Sequence, residues 1–185
     1  WRDKLVIRQS GAAWFEDAVD VKRDKVNYGI YMHAVLSRMH YSDEMTETLS
    51  RIVNEGLITA SEQHSLGEQL EEILKDPRIA GWFSRGWQVR TEVPILLPGG
   101  EENRIDRLLI NGKKAVVVDF KTGAHKKSDE KQVTQYMDIL RLMNYTDVEG
   151  YLLYLGKNEI VEVKSGTRPK VVRNAKSRDQ LELRL

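Results

Sequence analysis

Between residues 27 and 40 the apolar side chains Tyr28, Tyr31, Met32, Val35, Leu36 and Met39 recur at spacings of three and four, the period of an amphipathic helix. Asn27 precedes them as a suitable N-cap. A second stripe, Met45, Leu49, Ile52 and Val53, follows Ser42 and the acids Asp43 and Glu44. Those acids favour a first helical turn, and Gly56 is placed to end the helix. A third helix is predicted from residue 61, capped by Ser61, to about residue 75, before Pro77. Residues 1–26 hold no persistent period. Their short apolar run Leu5-Val6-Ile7, Gly11 and the charged stretch 16–25 read as a leading strand or loop.

After Gly81 the pattern changes. Residues 87–97 are rich in β-branched and aromatic side chains and are bounded by Gly86 and by Pro98-Gly99-Gly100, which predicts a strand. Residues 104–110 and 113–120 form two more, joined by Asn111-Gly112, a strong signal for a tight hairpin because a type I′ turn needs positive φ at both central positions. Thr122-Gly123 ends the third strand. Ser128 or Asp129 can cap a helix reaching about Met143, and residues 149–155 and 159–163 give two final strands. The predicted order is helices, three strands, a helix and two strands, with no internal repeat and no low-complexity segment.

If Asn111-Gly112 is the two-residue loop, Ile110 faces Lys113, Asp106 faces Val117 and Arg104 faces Asp119. Residues opposite one another share a face, as do strand residues two apart. Asp106, Asp119 and Lys121 therefore project from one side of the hairpin. The two aspartates are diagonal neighbours with Cα atoms about 7 to 8 Å apart, a span that carboxylates can bridge through one divalent cation. Asp119 also ends the apolar run Ala115-Val116-Val117-Val118, where an acid is costly unless paired or bound to metal. The alternative is an ordinary ion pair with Arg104, Arg107 or Lys121. The tripeptide Asp/Glu-x-Lys carries little by itself, since it occurs at Asp20, Asp119, Asp129 and Glu162. Of these, Asp119 alone ends an apolar strand with an acid on the partner strand.

Composition narrows the chemistry. The 185 residues contain no cysteine, which excludes disulfides, cysteine-held zinc, iron-sulfur clusters and a thiol nucleophile. Any metal must be held by oxygen and imidazole. One domain is the expectation at this length, and no apolar run approaches the ~20 residues of a membrane span. The chain starts at Trp1 without a leader pattern and is expected to be a piece of a longer polypeptide. Its 29 basic and 28 acidic residues nearly cancel. Yet Lys164, Arg168, Lys170, Arg173, Lys176, Arg178 and Arg184 face only Asp179 and Glu182, so the tail 164–185 is basic. Lys126, Lys127, Lys131 and Arg141 are further candidates for phosphate contacts. Neither a phosphate loop nor a Gly-x-Gly-x-x-Gly pattern occurs, so these residues hold no recognisable ATP site.

Together, the strings Arg104-Ile-Asp106-Arg-Leu-Leu-Ile, Val-Val-Val-Asp119-Phe-Lys121-Thr-Gly, Gln132-Val-Thr-Gln-Tyr136 and Gly150-Tyr-Leu-Leu-Tyr-Leu155 resemble the PD-(D/E)xK nucleases. More specifically, they resemble the RecB-like nuclease domain at the C-terminus of UvrD-like helicases in recombinational repair complexes. Gly29-Ile-Tyr-Met-His33 is similar to that family's Gly-x-x-x-His helix, and Glu92 to the acid on the strand before the hairpin. The likeness runs from about residue 28 to 163. Ile105 stands where many relatives have proline, and Asp129 where relatives often have tyrosine.

The resemblance implies an α+β restriction-endonuclease-like core of α/β/α type: N-terminal helices over 27–81, a catalytic core over 86–163 with a mixed sheet centred on the hairpin, and the basic tail. It implies that His33, Asp106, Asp119 and the main-chain carbonyl of Phe120 hold Mg²⁺ or Mn²⁺, that Lys121 is the catalytic lysine, and that Glu92 binds metal through water or supports the site. Oxygen ligands with one imidazole suit these ions. Gln132 and Tyr136, four apart on one helix face, would lie toward DNA with Lys126 and Lys127; Tyr136 could equally belong to the apolar stripe of Val133, Met137, Leu140 and Met143. The implied activity is exonucleolytic hydrolysis of DNA in double-strand-break repair, in the cytoplasm alongside the nucleoid. The implied partners are an upstream helicase motor and a second helicase-nuclease subunit, with no membrane. A silent DNA-binding or scaffolding module and a stand-alone nuclease or resolvase on the same core are the competing readings.

Overall fold

The computed structural model describes residues 17–97 and 100–164, with side chains from residue 28 onward. The expected leading segment before residue 17 and the basic tail beyond Lys164 lie outside these residues. The chain divides into two compact units, the first ending at Ile79 and the second starting at Ala80.

The first unit is helical. Helix α1 (Asp17–Arg38) starts ten residues before the predicted Asn27 cap. Helix propagation adds a hydrogen bond for each residue fixed, so the helix extends back through a charged stretch that has no apolar stripe to reveal it. Met32, Val35, Leu36 and Met39 are fully buried, as the stripe requires. A 3₁₀ turn (Ser42–Glu44) precedes α2 (Met45–Asn54); here Glu44, rather than Ser42, supplies the capping oxygen, accepting the His40 and Tyr41 amides. Gly56, at φ 73°, closes α2 as predicted. Its amide reaches Val53 O and the Leu57 amide reaches Ile52 O, the paired bonds of a Schellman ending. Helix α3 (Ala60–Leu74) is capped by Thr59, two residues before the predicted Ser61. Thr59 forms a reciprocal capping box with Glu62, which satisfies two amides where a serine at 61 would satisfy one. Helix α4 (Pro77–Trp82) follows.

The second unit is a five-stranded mixed sheet: β1 (Gln88–Leu96), β2 (Glu102–Asn111), β3 (Lys114–Lys121), β4 (Asp147–Tyr154) and β5 (Glu159–Glu162), in spatial order 1-2-3-4-5. All neighbours are antiparallel except β3 and β4. Helix α5 (Lys127–Leu142) makes the crossover that a parallel pair needs. This is the α+β arrangement of a restriction-endonuclease-like core. Helix α5 packs Val133, Tyr136, Met137 and Leu140 onto Leu108, Ala115, Val117 and Leu152. Gly150 permits this approach, because a Cβ there would lie 2.7 Å from Val133 Cγ1 and closer still to Met137 Sδ.

The other face of β3 is covered as well, so residues 115–120 are all buried and the strand reads as one apolar run. Arg107 belongs to that second face. It is fully buried, with its guanidinium carbon 3.7 Å above the Phe83 ring and Nη2 donating to Trp82 O. Among the described residues, no helix is long and apolar enough to cross a membrane.

Candidate active site

The hairpin forms with its loop one residue beyond the expected Asn111-Gly112, which shifts the cross-strand register by two. Asn111 pairs with Lys114, leaving Gly112-Lys113 as the loop. Gly112 has φ 58°, whereas Lys113 is not among the residues with positive φ. Positive φ at the first central position alone is the pattern of a type II′ turn, which spares a lysine the left-handed region. A shift of two preserves every side-chain face but changes the partners. Arg107 pairs with Val118, so the next step along the ladder sets Asp106 level with Asp119 instead of Val117.

Asp106 is half-buried, and its Oδ2 accepts the Phe120 amide at 2.7 Å. Asp119 is 2% exposed, and its Oδ2 lies 2.7 Å from Lys121 Nζ. That separation is an ion pair by distance, but the atoms are not aligned as a hydrogen bond. Desolvation, reinforced by the charge of Asp106 and only partly offset by Lys121, pushes the Asp119 carboxyl up to about 6. Of the three cations considered as partners, Lys121 reaches Asp119. Arg107 lies on the opposite face, and Arg104 is exposed with Nη1 3.9 Å from Glu92 Oε2. The ion pair thus exists without cancelling the cost of burying the acid.

Glu92 carries the feature that strand pattern could not reveal. Thr91 pairs with Arg107 and Val93 with Ile105, while Glu92 between them, level with Asp106, leaves the ladder at φ 51°. A non-glycine residue in this region is strained, and such strain concentrates at functional sites. Glu92 and Asp106 can each present a carboxylate oxygen within 4.8 Å of the other.

Helix α5 supplies the remaining polar groups. It begins at Lys127 with Lys126 as N-cap, and neither Ser128 nor Asp129 caps it. Asp129 instead accepts from Tyr154 Oη at 3.1 Å, a contact between distant elements with no local sequence signal. Lys126 and Lys127 are exposed at the start of the helix. In the preceding loop His125 pairs with Glu130 at 2.9 Å and meets the Tyr154 ring edge-on. Gln132 Oε1 accepts from Lys121 Nζ at 3.0 Å. Tyr136, expected toward DNA, is fully buried: its ring belongs to the α5 core and its hydroxyl donates to Arg104 O at 2.9 Å. With no exposed surface it cannot meet a strand of DNA. Burial pushes that hydroxyl up to about 12, which keeps it a proton donor at neutral pH. His33 lies on α1 in the first unit and is half-buried.

The donor set of the second unit suits a hard divalent cation. Asp106, Asp119 and Glu92 offer oxygen alone, and Asp119 Oδ2 is a buried anionic atom with no well-aligned hydrogen bond, the kind of group a cation would satisfy. The family model for the PD-(D/E)XK nuclease superfamily matches residues 8–184. No curated protein matches the chain.

Proposed function

From the premise that this chain belongs to the PD-(D/E)XK nuclease superfamily, we propose that it is a metal-dependent deoxyribonuclease with its reacting centre at Asp106, Asp119 and Lys121. The observation that carries this reading is the buried Asp119 carboxylate, held level with Asp106 and 2.7 Å from an ammonium at the end of an apolar strand. A structural ion pair alone gains little from burying a second acid beside the first. A metal nuclease requires that arrangement.

Asp106 and Asp119 are the proposed ligands, with the Phe120 carbonyl; His33 joins them on the strength of its Gly-x-x-x-His pattern. Glu92 is assigned to a water-mediated contact or to supporting the ligands. When bound, Mg²⁺ or Mn²⁺ would polarise the phosphate and lower the pKa of a coordinated water. Lys121 places a positive charge where negative charge builds on the phosphate oxygens. Asp119 and Gln132 hold that ammonium from two sides. Lys126 and Lys127 are placed to neutralise backbone phosphates at the start of α5.

The order and composition of the motifs favour the more specific proposal of an exonuclease module, fused to a helicase motor and acting in double-strand-break repair with a second helicase-nuclease subunit. Linear and circular DNA, single- and double-stranded, incubated with Mg²⁺, Mn²⁺ or EDTA, test both levels. Metal-dependent loss of linear DNA with circular DNA spared supports the exonuclease. Asp119→Ala is expected to abolish cleavage and Lys121→Ala to cut it to a small residual rate, and activity undiminished by both substitutions would remove the assigned site.

A further inference from the structure

Lys121 and the Arg104 carbonyl are joined by three contacts: Lys121 Nζ to Gln132 Oε1 at 3.0 Å, Gln132 Nε2 to Tyr136 Oη at 2.7 Å, and Tyr136 Oη to Arg104 O at 2.9 Å. An ammonium only donates and a carbonyl only accepts, so the two ends dictate every proton between them. Tyr136 must spend its single hydrogen on Arg104 O. It can therefore only accept from Gln132, which turns the amide nitrogen toward Tyr136 and the amide oxygen toward Lys121. With the amide reversed, its NH₂ would face the ammonium, donor against donor, and its oxygen would face a hydroxyl whose hydrogen is already used.

We propose that Tyr136 is a positioning residue for Lys121, fixing the Gln132 amide so that its oxygen, with the Asp119 carboxylate, holds the ammonium at the reacting phosphate. Its effect on rate rests on the nuclease reading above; the hydrogen-bond chain does not. The chain ties the ammonium on β3 through α5 to the backbone of β2, two residues from Asp106. One of the three ammonium N–H groups is directed at Gln132, while Asp119 holds the ammonium by charge at 2.7 Å, so N–H groups remain for a phosphate oxygen or water. Tyr136 is fully buried, so it reaches the substrate only through Gln132.

Removing the hydroxyl frees the amide to rotate and Lys121 to wander. Because misplacement of a reacting group by about 1 Å costs about 100-fold, Tyr136→Phe is expected to lower kcat by about 10- to 100-fold and to leave KM within about twofold. In a Lys121→Ala background the same substitution is expected to cause no further loss, since the group it positions is gone. Tyr136→Phe with wild-type kcat, or with an equal loss in both backgrounds, overturns the proposal. A second readout needs no activity. In ¹⁵N-lysine spectra the Lys121 ammonium is expected to give a slowly exchanging resonance that is lost in both Tyr136→Phe and Gln132→Met. An ammonium signal absent from the wild type, or unchanged in Tyr136→Phe, also overturns it. A wild type that cleaves no DNA defeats the nuclease reading, and the ammonium signal then still decides the positioning.

Discussion

Asp106 and Asp119 stand level across the β2–β3 hairpin, one step beyond the paired Arg107 and Val118, and the Asp106 carboxylate accepts the amide of Phe120, the residue that follows Asp119. The two acids are thereby coupled through one stretch of backbone as well as through their charges. Asp119 bears the cost, because it is the more buried of the two.

That cost makes stability depend on pH. The Asp119 carboxyl titrates near 6 in the folded chain against an ordinary value of 3.8, so folding favours its protonated form. The stabilisation is complete below 3.8 and is lost as pH rises through about 6, an effect on the order of 3 kcal/mol. The groups facing it are Asp106 and Asp129, which raise the value, and Lys121, which lowers it. Asp119→Asn mimics the protonated acid at every pH. The metal-free variant should therefore melt above wild type at pH 8 and level with it at pH 4, while cleavage is lost. Calorimetry in EDTA at the two pH values decides this, and a variant no more stable than wild type at pH 8 contradicts the burial argument.

Asp106 separates charge from hydrogen bonding. Asp106→Ala leaves the Phe120 amide without its acceptor and should cost about 1 to 3 kcal/mol, whereas Asp106→Asn keeps a carbonyl oxygen for that amide and should cost less. Both should abolish cleavage, because neither retains the anion. Urea midpoints at unchanged m-value report the stabilities. Equal destabilisation by alanine and asparagine would show that the contact to Phe120 contributes nothing.

Glu92 should invert a usual rank order. In a strand glycine is less stable than alanine by roughly 0.5 to 1 kcal/mol. At φ 51°, however, a Cβ costs about 1 to 2 kcal/mol. Glu92→Gly should therefore be at least as stable as Glu92→Ala, with Glu92→Val the least stable of the three. Thermal midpoints in the usual order, alanine above glycine, would mean that the left-handed conformation is not maintained.

Much of this site is legible in sequence because its main elements are local. An apolar run ending in Asp119-Phe-Lys121, a glycine-bearing turn and an acid at matching distance on the partner strand bring Asp106, Asp119 and Lys121 to one face, even with the loop displaced to Gly112-Lys113. Parity protects that inference: a shift of two changes partners without changing faces. What sequence does not carry are choices made by tertiary contacts. Thr59 outcompetes Ser61 as a cap because Glu62 answers it. Asp129 is drawn to Tyr154 on a strand 25 residues away. Glu92 leaves its ladder at a point where nothing in Thr91-Glu92-Val93-Pro94 requires positive φ. Tyr136 fits an apolar stripe and a polar site equally well by spacing, and only its burial shows that the ring serves the first while the hydroxyl serves the second.

Gly150 shows how packing away from the acids bears on them. It lies opposite Val117 on β4, directly under α5, where a Cβ would come within 2.7 Å of Val133 Cγ1. Gly150→Ala must push the helix off the sheet or force side chains from their rotamers, and such overpacking typically costs 1 to 3 kcal/mol. The displaced helix carries Gln132 one residue before Val133, so the contact to Lys121 at 3.0 Å lengthens with it. Cleavage should therefore fall at temperatures where the variant is still fully folded. Val133→Ala opens part of the space that the new methyl needs, the Met137 thioether being its other close neighbour. The double variant should be less destabilised than the sum of the two single losses and should recover part of the lost rate. Strict additivity in both stability and kcat would mean that Gly150 and Val133 do not compete for the same space and that α5 is not held to the sheet at this point.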